Sequence, residues 1–138
     1  MKYMILAYAS QRDYDGMAGG TTETPAWTSE ELAAMTEFMS AANQELADSG
    51  ELIETRGLAA PVHTRRVSNG DGAPFVTDGP YAETQEVLAG YWIVECESLD
   101  RATEIAVQLG KCPAPGHLAG RGYADVRPIV DGATELVF

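Results

Sequence analysis

Residues 2–9, KYMILAYA, are apolar on both alternating faces: Tyr3, Ile5 and Ala7 point one way from an extended chain, Met4, Leu6 and Tyr8 the other. Such a segment is predicted as a strand covered on both sides. Residues 10–26 are polar and glycine-rich and are predicted as a surface loop. The pattern then turns helical. Thr28-Ser29-Glu30-Glu31 is a capping box, with Trp27 placed ahead of it to staple onto Leu32. Leu32, Met35, Met39, Ala42 and Leu46 recur at spacings of three and four, Phe38 widens the stripe, and Gly50 closes the helix. Residues 51–57 (ELIETRG) read as a weaker, half-exposed strand. Residues 64–68 and 73–77 flank Asn69-Gly70-Asp71-Gly72 as a hairpin. Residues 87–97, VLAGYWIVECE, are again apolar on both faces, with Leu88, Gly90, Trp92, Val94 and Cys96 on one and Ala89, Tyr91 and Ile93 on the other. Ser98 caps a second helix carrying Leu99, Ala102, Ile105, Ala106 and Leu109, stopped by Gly110 and Pro113. The last strand, residues 123–130, holds Pro128 and is therefore expected at a sheet edge or ending in a bulge.

This order predicts an α+β fold: a ferredoxin-like βαββαβ unit with an extra β-hairpin, in one domain over residues 1–138. The two strands apolar on both faces should be the central pair. Two helices cover only one face of such a sheet. The economical cover for the other is a second copy of the sheet, which implies a homodimer with an apolar space between its two sheets.

Charge narrows the partners. Nine basic against 21 acidic residues give a net charge of −12, a surface that repels phosphate backbones, so nucleic acid is not an expected partner. No apolar run approaches the ~18 residues of a membrane span, and no membrane partner is expected. Residues 4–9 read as a strand, not the core of a signal peptide, because one Lys and no small-residue cleavage site accompany them; a cytoplasmic location is the default expectation. Cys96 and Cys112 lack a CxxC pattern and are expected as reduced, packed thiols. No P-loop, dinucleotide fingerprint, nucleophile elbow or zinc spacing occurs, so no cofactor and no metal are expected.

The stretch 77–84, TDGPYAET, holds more than a turn requires. Asp78, Gly79 and Pro80 account for the turn itself. Tyr81, Glu83 and Glu86 do not follow from it, and a loop entering a central strand lies at one end of the sheet, beside the expected cavity. Charged groups aimed there need partners, for which Arg65, Arg66 and Arg127 are candidates. Together with EVLAGYWIVE, the opening KYMILAY, ELADSGELIETRGL, SLDRATEIA and the closing VRPI, this stretch resembles the YCII-related family in its DGPF subgroup, with Tyr81 at the usual Phe. The resemblance covers nearly the whole chain. It implies a dimeric α/β barrel, in agreement with the sheet argument. It also implies two functional directions. One branch of the family contains dehydrochlorinases acting on chlorinated hydroxyquinols, and its enzymes pair a His on the first helix with an Asp near the second. Many DGPF genes instead neighbour genes for extracytoplasmic-function sigma factors. Here the His position falls on Met39, the first long helix has no His, and the Lys common after AET is Gln85. The His–Asp pair therefore does not carry over.

The expectation is a homodimer that binds an organic small molecule between its sheets and loops, with Tyr8, Tyr81, Tyr91 and Trp92 lining the space and Glu83 at its mouth. If it is catalytic, cofactor-free acid–base chemistry of a lyase or isomerase type fits best, with His63, Asp78 and Glu83 as candidates. His63 and His117 otherwise read as loop histidines without metal spacing. The alternative is a non-catalytic accessory or regulatory protein acting with a sigma factor.

Overall fold

The computed structural model describes residues 1–132. Strand β1 (Lys2–Ala9) leads into a short helix α1 (Gln11–Met17), and the long helix α2 (Ser29–Asp48) follows. Strand β2 (Leu52–Gly57) precedes a hairpin of β3 (Arg65–Asn69) and β4 (Pro74–Asp78). Strand β5 (Val87–Glu95), helix α3 (Leu99–Leu109) and strand β6 (Ala124–Pro128) complete the order. The four main strands form one antiparallel sheet in the order β2-β5-β1-β6, as a ferredoxin-like unit requires, and the hairpin forms a separate two-stranded sheet. The two strands apolar on both faces are the central pair, and β6, with Pro128, lies at an edge as expected. No helix among the described residues is long and apolar enough to cross a membrane.

The helices dock on one face. Tyr3, Ile5 and Val94 meet Leu46 of α2 and Ala102, Ile105 and Leu109 of α3 in the buried core. The α2 capping box forms as read, with the Thr28 hydroxyl accepting from the Glu31 N–H at 3.1 Å and Glu31 accepting from the Thr28 N–H at 2.9 Å. At the other end Gly50 takes φ +80°, a conformation costly for any residue with a Cβ.

Two expectations need correction. Residues 10–26 are not all loop. Ser10 and Asp13 form a second capping box, Ser10 Oγ accepting from the Asp13 N–H and Asp13 from the Ser10 N–H, and α1 follows. Strict alternation also fails in β5. Ala7 pairs with Gly90 but Tyr8 pairs with Leu88, so Ala89 is an extra residue in a bulge. The bulge turns Leu88 to the face that carries Tyr8, away from Trp92.

Candidate functional site

Met4, Leu6, Tyr8, Leu88, Tyr91 and Ile93 occupy the face opposite the helices, in register with Arg127, Asp125, Glu54 and Arg56 of the edge strands. None of the six is buried in the single chain. Polar residues bracket the apolar strip. The Tyr8 hydroxyl donates to Asp125 at 2.8 Å, and the Tyr91 hydroxyl donates to Glu54 at 2.9 Å. Tyr123, just ahead of β6, stacks on Tyr8 with ring centroids 5.2 Å apart and planes 20° apart, and its hydroxyl faces Glu86. In all three tyrosines the facing carboxylate, hydrogen-bonded to Tyr8 and to Tyr91, is the main cause holding the phenol above its ordinary value. A carboxylate acceptor stabilises the neutral phenol, so each oxygen stays protonated.

The loop after β4 closes one end of this face. Gly79, at φ +55°, donates its N–H to Thr64 O at 2.8 Å and ties the loop to the hairpin base. Its two carboxylates go different ways. Glu83 accepts the Arg12 N–H through its backbone carbonyl at 3.1 Å, and its side chain lies 3.9 Å from Arg12 Nε. Glu86 meets Tyr123. The anchor of Glu83 is therefore Arg12, not Arg65, Arg66 or Arg127. Arg65 instead pairs with Asp78 at 3.0 Å, and Arg66 lies 5.2 Å over the Tyr81 ring, a cation–π contact.

Helix α1 gathers the remaining threads at this end. Gln11 Oε1 accepts from the Val62 N–H at 2.8 Å, and the Tyr14 hydroxyl donates to Leu58 O at 2.8 Å. Behind α1 lies a cavity of about 220 Å³ between the helix, residues 23–27 and residues 117–121. A larger cavity, about 320 Å³, runs between α2 and α3. It is a mainly apolar groove that also carries Glu45, Ser49 and Gln108, and the guanidinium of Arg101, which lines it, is already paired with Glu51 and Glu104.

The sheet-end arrangement brings together Tyr8, Tyr123, Asp125 and Glu86, while Tyr91 turns to Glu54 on the opposite edge strand and Glu83 turns to Arg12. Trp92 does not join them. Its indole Nε1 donates to Asn43 of α2 at 2.8 Å and its ring packs on the core. Neighbouring strand residues face opposite ways, so Tyr91 and Trp92 cannot both line one face. His63 is exposed in a 3₁₀ turn before the hairpin, and Asp78 is exposed at the end of β4. Neither reaches the tyrosines through any contact among the described residues. Tyr123 and Asp125 were not among the candidates. Their spacing of two in YADVRP, shared with Arg127, places them on one face of an edge strand and is the signal that finds them.

This geometry defines a class: a ferredoxin-like α+β chain with helices on one face and a bare, tyrosine- and carboxylate-bearing second face closed at one end by a loop. The chain belongs to the YCII-related domain family, whose model matches residues 1–126. It is similar to an uncharacterized protein of Rhizobium meliloti (strain 1021), 29% identical over 129 residues that span 93% of this chain and 96% of that one.

Proposed function

We propose that this protein binds a small organic molecule on the bare face of the sheet, at the end closed by residues 79–86, and that a second copy of the chain covers the site. The stacked pair Tyr8–Tyr123, with both hydroxyls turned to carboxylates, carries this reading. Aromatic surface supplies contact area, and a few oriented polar groups select what lies on it, as in a ligand pocket. The apolar residues around it remain partly exposed in the single chain, and burying them against a second sheet would stabilise the pair. A homodimer of this kind is a dimeric α/β barrel.

If the site turns its ligand over, cofactor-free elimination or isomerisation is the chemistry its groups fit. Asp125 and Glu86 can take a proton from a carbon acid, and a phenol released from its carboxylate as the ligand seats can then donate its single O–H to the oxygen on which charge develops. Within this reading Tyr81 and Glu83 belong to the mouth and shape the loop.

Two measurements test the proposal. Sedimentation should show a dimer at micromolar concentration; a stable monomer rejects the covered face. Crystals soaked with a panel of hydroxylated aromatics should show density against Tyr8 and Tyr123. Compounds bound only elsewhere reject the site. The net charge of −12 supports a second reading, an accessory protein that meets a basic partner such as a sigma factor. Co-purification with a sigma factor encoded beside it would favour that reading, and its absence from such a neighbourhood would count against it.

A further inference from the structure

The cavity behind α1 sets two arginines against two carboxylates in a chain that has few cations. Of nine basic residues, Arg12 and Arg121 both line it, together with His117 and the apolar surfaces of Trp27, Pro25 and Leu118. Arg12 is poorly satisfied. Its Nη2 lies 3.6 Å from Glu23 and its Nε 3.9 Å from Glu83, both beyond good hydrogen-bonding distance. The Nε–H is buried and has no hydrogen-bond partner among the described residues, and the buried Oγ1 of Thr24, which also lines the cavity, has none either. A buried guanidinium N–H without an acceptor is costly, and a matching carboxylate would remove that cost. Arg121 is exposed and pairs with no carboxylate among the described residues, and His117 makes no side-chain hydrogen bond among them.

We propose that this cavity binds a small organic monocarboxylate, its carboxylate held by Arg12 and Arg121 and its apolar body set against Trp27. The walls decide between anions. Asp13 and Glu23 also line the cavity, and Asp13 is committed to the α1 cap. Like-charge repulsion from these groups grows with ligand charge, so it disfavours a phosphate dianion more than a carboxylate. The indole and the Leu118 and Pro25 surfaces add contact that only a ligand with a carbon body can use. At about 220 Å³ the cavity is below the size of a drug-like pocket, so the ligand is small. No tyrosine lines the cavity, so the inference stands or falls independently of the tyrosine face.

Benzoate is the probe. The chain has two tryptophans, and Trp92 is held by Asn43 on the other side of the fold, so its indole N–H resonance serves as an internal reference. Benzoate should shift the Trp27 indole resonance, assigned with Trp27→Phe, saturably and at millimolar concentration or below, while Trp92 stays still. Arg12→Gln should weaken binding about tenfold or more, and Arg12→Lys should recover only part of it because an ammonium lacks the planar fork. Should Arg12→Gln fail to fold, Arg121→Gln is the second variant, at an exposed position without an ion pair among the described residues, and should weaken binding by roughly threefold or more. The proposal is overturned by an absent or unsaturable Trp27 shift, or by benzyl alcohol binding as well as benzoate. Inorganic phosphate binding more tightly than benzoate overturns it too, as does unchanged affinity in Arg121→Gln.

Discussion

Among the ion pairs of the described residues, replacing Glu51 with Gln tests the one whose geometry supports a stability claim. Arg101 donates to Glu51 through Nε and Nη2, each at 2.8 Å, in a planar two-pronged contact between the start of β2 and α3. The Glu51 side chain is 17% exposed and that of Arg101 is 38% exposed. A hydrogen bond to a charged group contributes roughly 1.5–3 kcal/mol and an exposed ion pair only about 0.2–1 kcal/mol. The pair lies between these limits, and the Gln amide keeps one acceptor, so the expected loss is about 1–2 kcal/mol. With an unfolding entropy of roughly 0.3 kcal/mol/K for a chain of this length, the melting temperature should fall by about 3–7 °C at neutral pH. The hydrogen bonds from Arg101 hold the Glu51 carboxyl below its ordinary value. A carboxyl depressed in the folded state contributes its full stability above its unfolded pKa, roughly 4.3. That contribution is lost as pH falls through the depressed folded value. Thermal melts followed by far-UV circular dichroism should therefore show the full gap between wild type and Glu51→Gln at neutral pH, closing in acid below the folded value. A gap under about 1 °C at neutral pH, or one that survives undiminished in acid, would refute the reasoning.

Leu46→Ala should cost about 2–5 kcal/mol in urea denaturation, since Leu46 is buried among Ile5, Val94 and Ile105; an unchanged midpoint would mean the α2 face is misassigned. Gly90→Ala should cost about 1–3 kcal/mol, because a Cβ there would come within 2.9 Å of the Arg56 carbonyl, a backbone atom in the neighbouring strand that can yield only by parting β2 from β5. Asp125→Asn should bring the Tyr8 phenol back down towards its ordinary value in an ultraviolet titration, with Tyr8→Phe identifying the band; no change would show that Asp125 is not the cause. Because the Tyr8 phenol is raised in the folded state, its contribution to stability is present below about pH 10 and lost as pH rises through the folded value. Glu83→Gln should alter stability by less than about 1 kcal/mol, since its side chain is half exposed and the backbone bond from Arg12 remains. A larger fall in the urea midpoint would make Glu83 a structural anchor.

Patterns that depend on period were legible in the sequence, and those that depend on pairing were not. Residues apolar on both faces located β1 and β5 at the sheet centre, and Thr28 with Glu31 located the start of α2. Helix α1 escaped because it is only seven residues long and runs into Gly16, Gly19 and Gly20, which mask the cap that Ser10 and Asp13 form. Leu88 was assigned to the wrong face because the bulge at Ala89 appears only when β5 is laid against β1. Tyr91 and Trp92 could have been separated by alternation alone. The meeting of Glu83 with Arg12 joins residues 71 positions apart, and no local pattern announces it.

Seven residues are too few for a helix to persist on its own hydrogen bonds. Helix α1 holds because Leu58 and Val62, from the segment after β2, and Glu83, from the loop before β5, each supply a partner to it. That end of the sheet therefore assembles or opens as one cooperative unit, and its amides should exchange with solvent together. Glu83 of the loop at 79–86 meets Arg12, which lines the cavity behind α1, and Glu86 of the same loop faces Tyr123, so a ligand at either proposed site would draw on the same local folding equilibrium. A ligand seated at one proposed site would stabilise the closed form of the other, and the two would be thermodynamically linked through a helix that neither ligand needs to move.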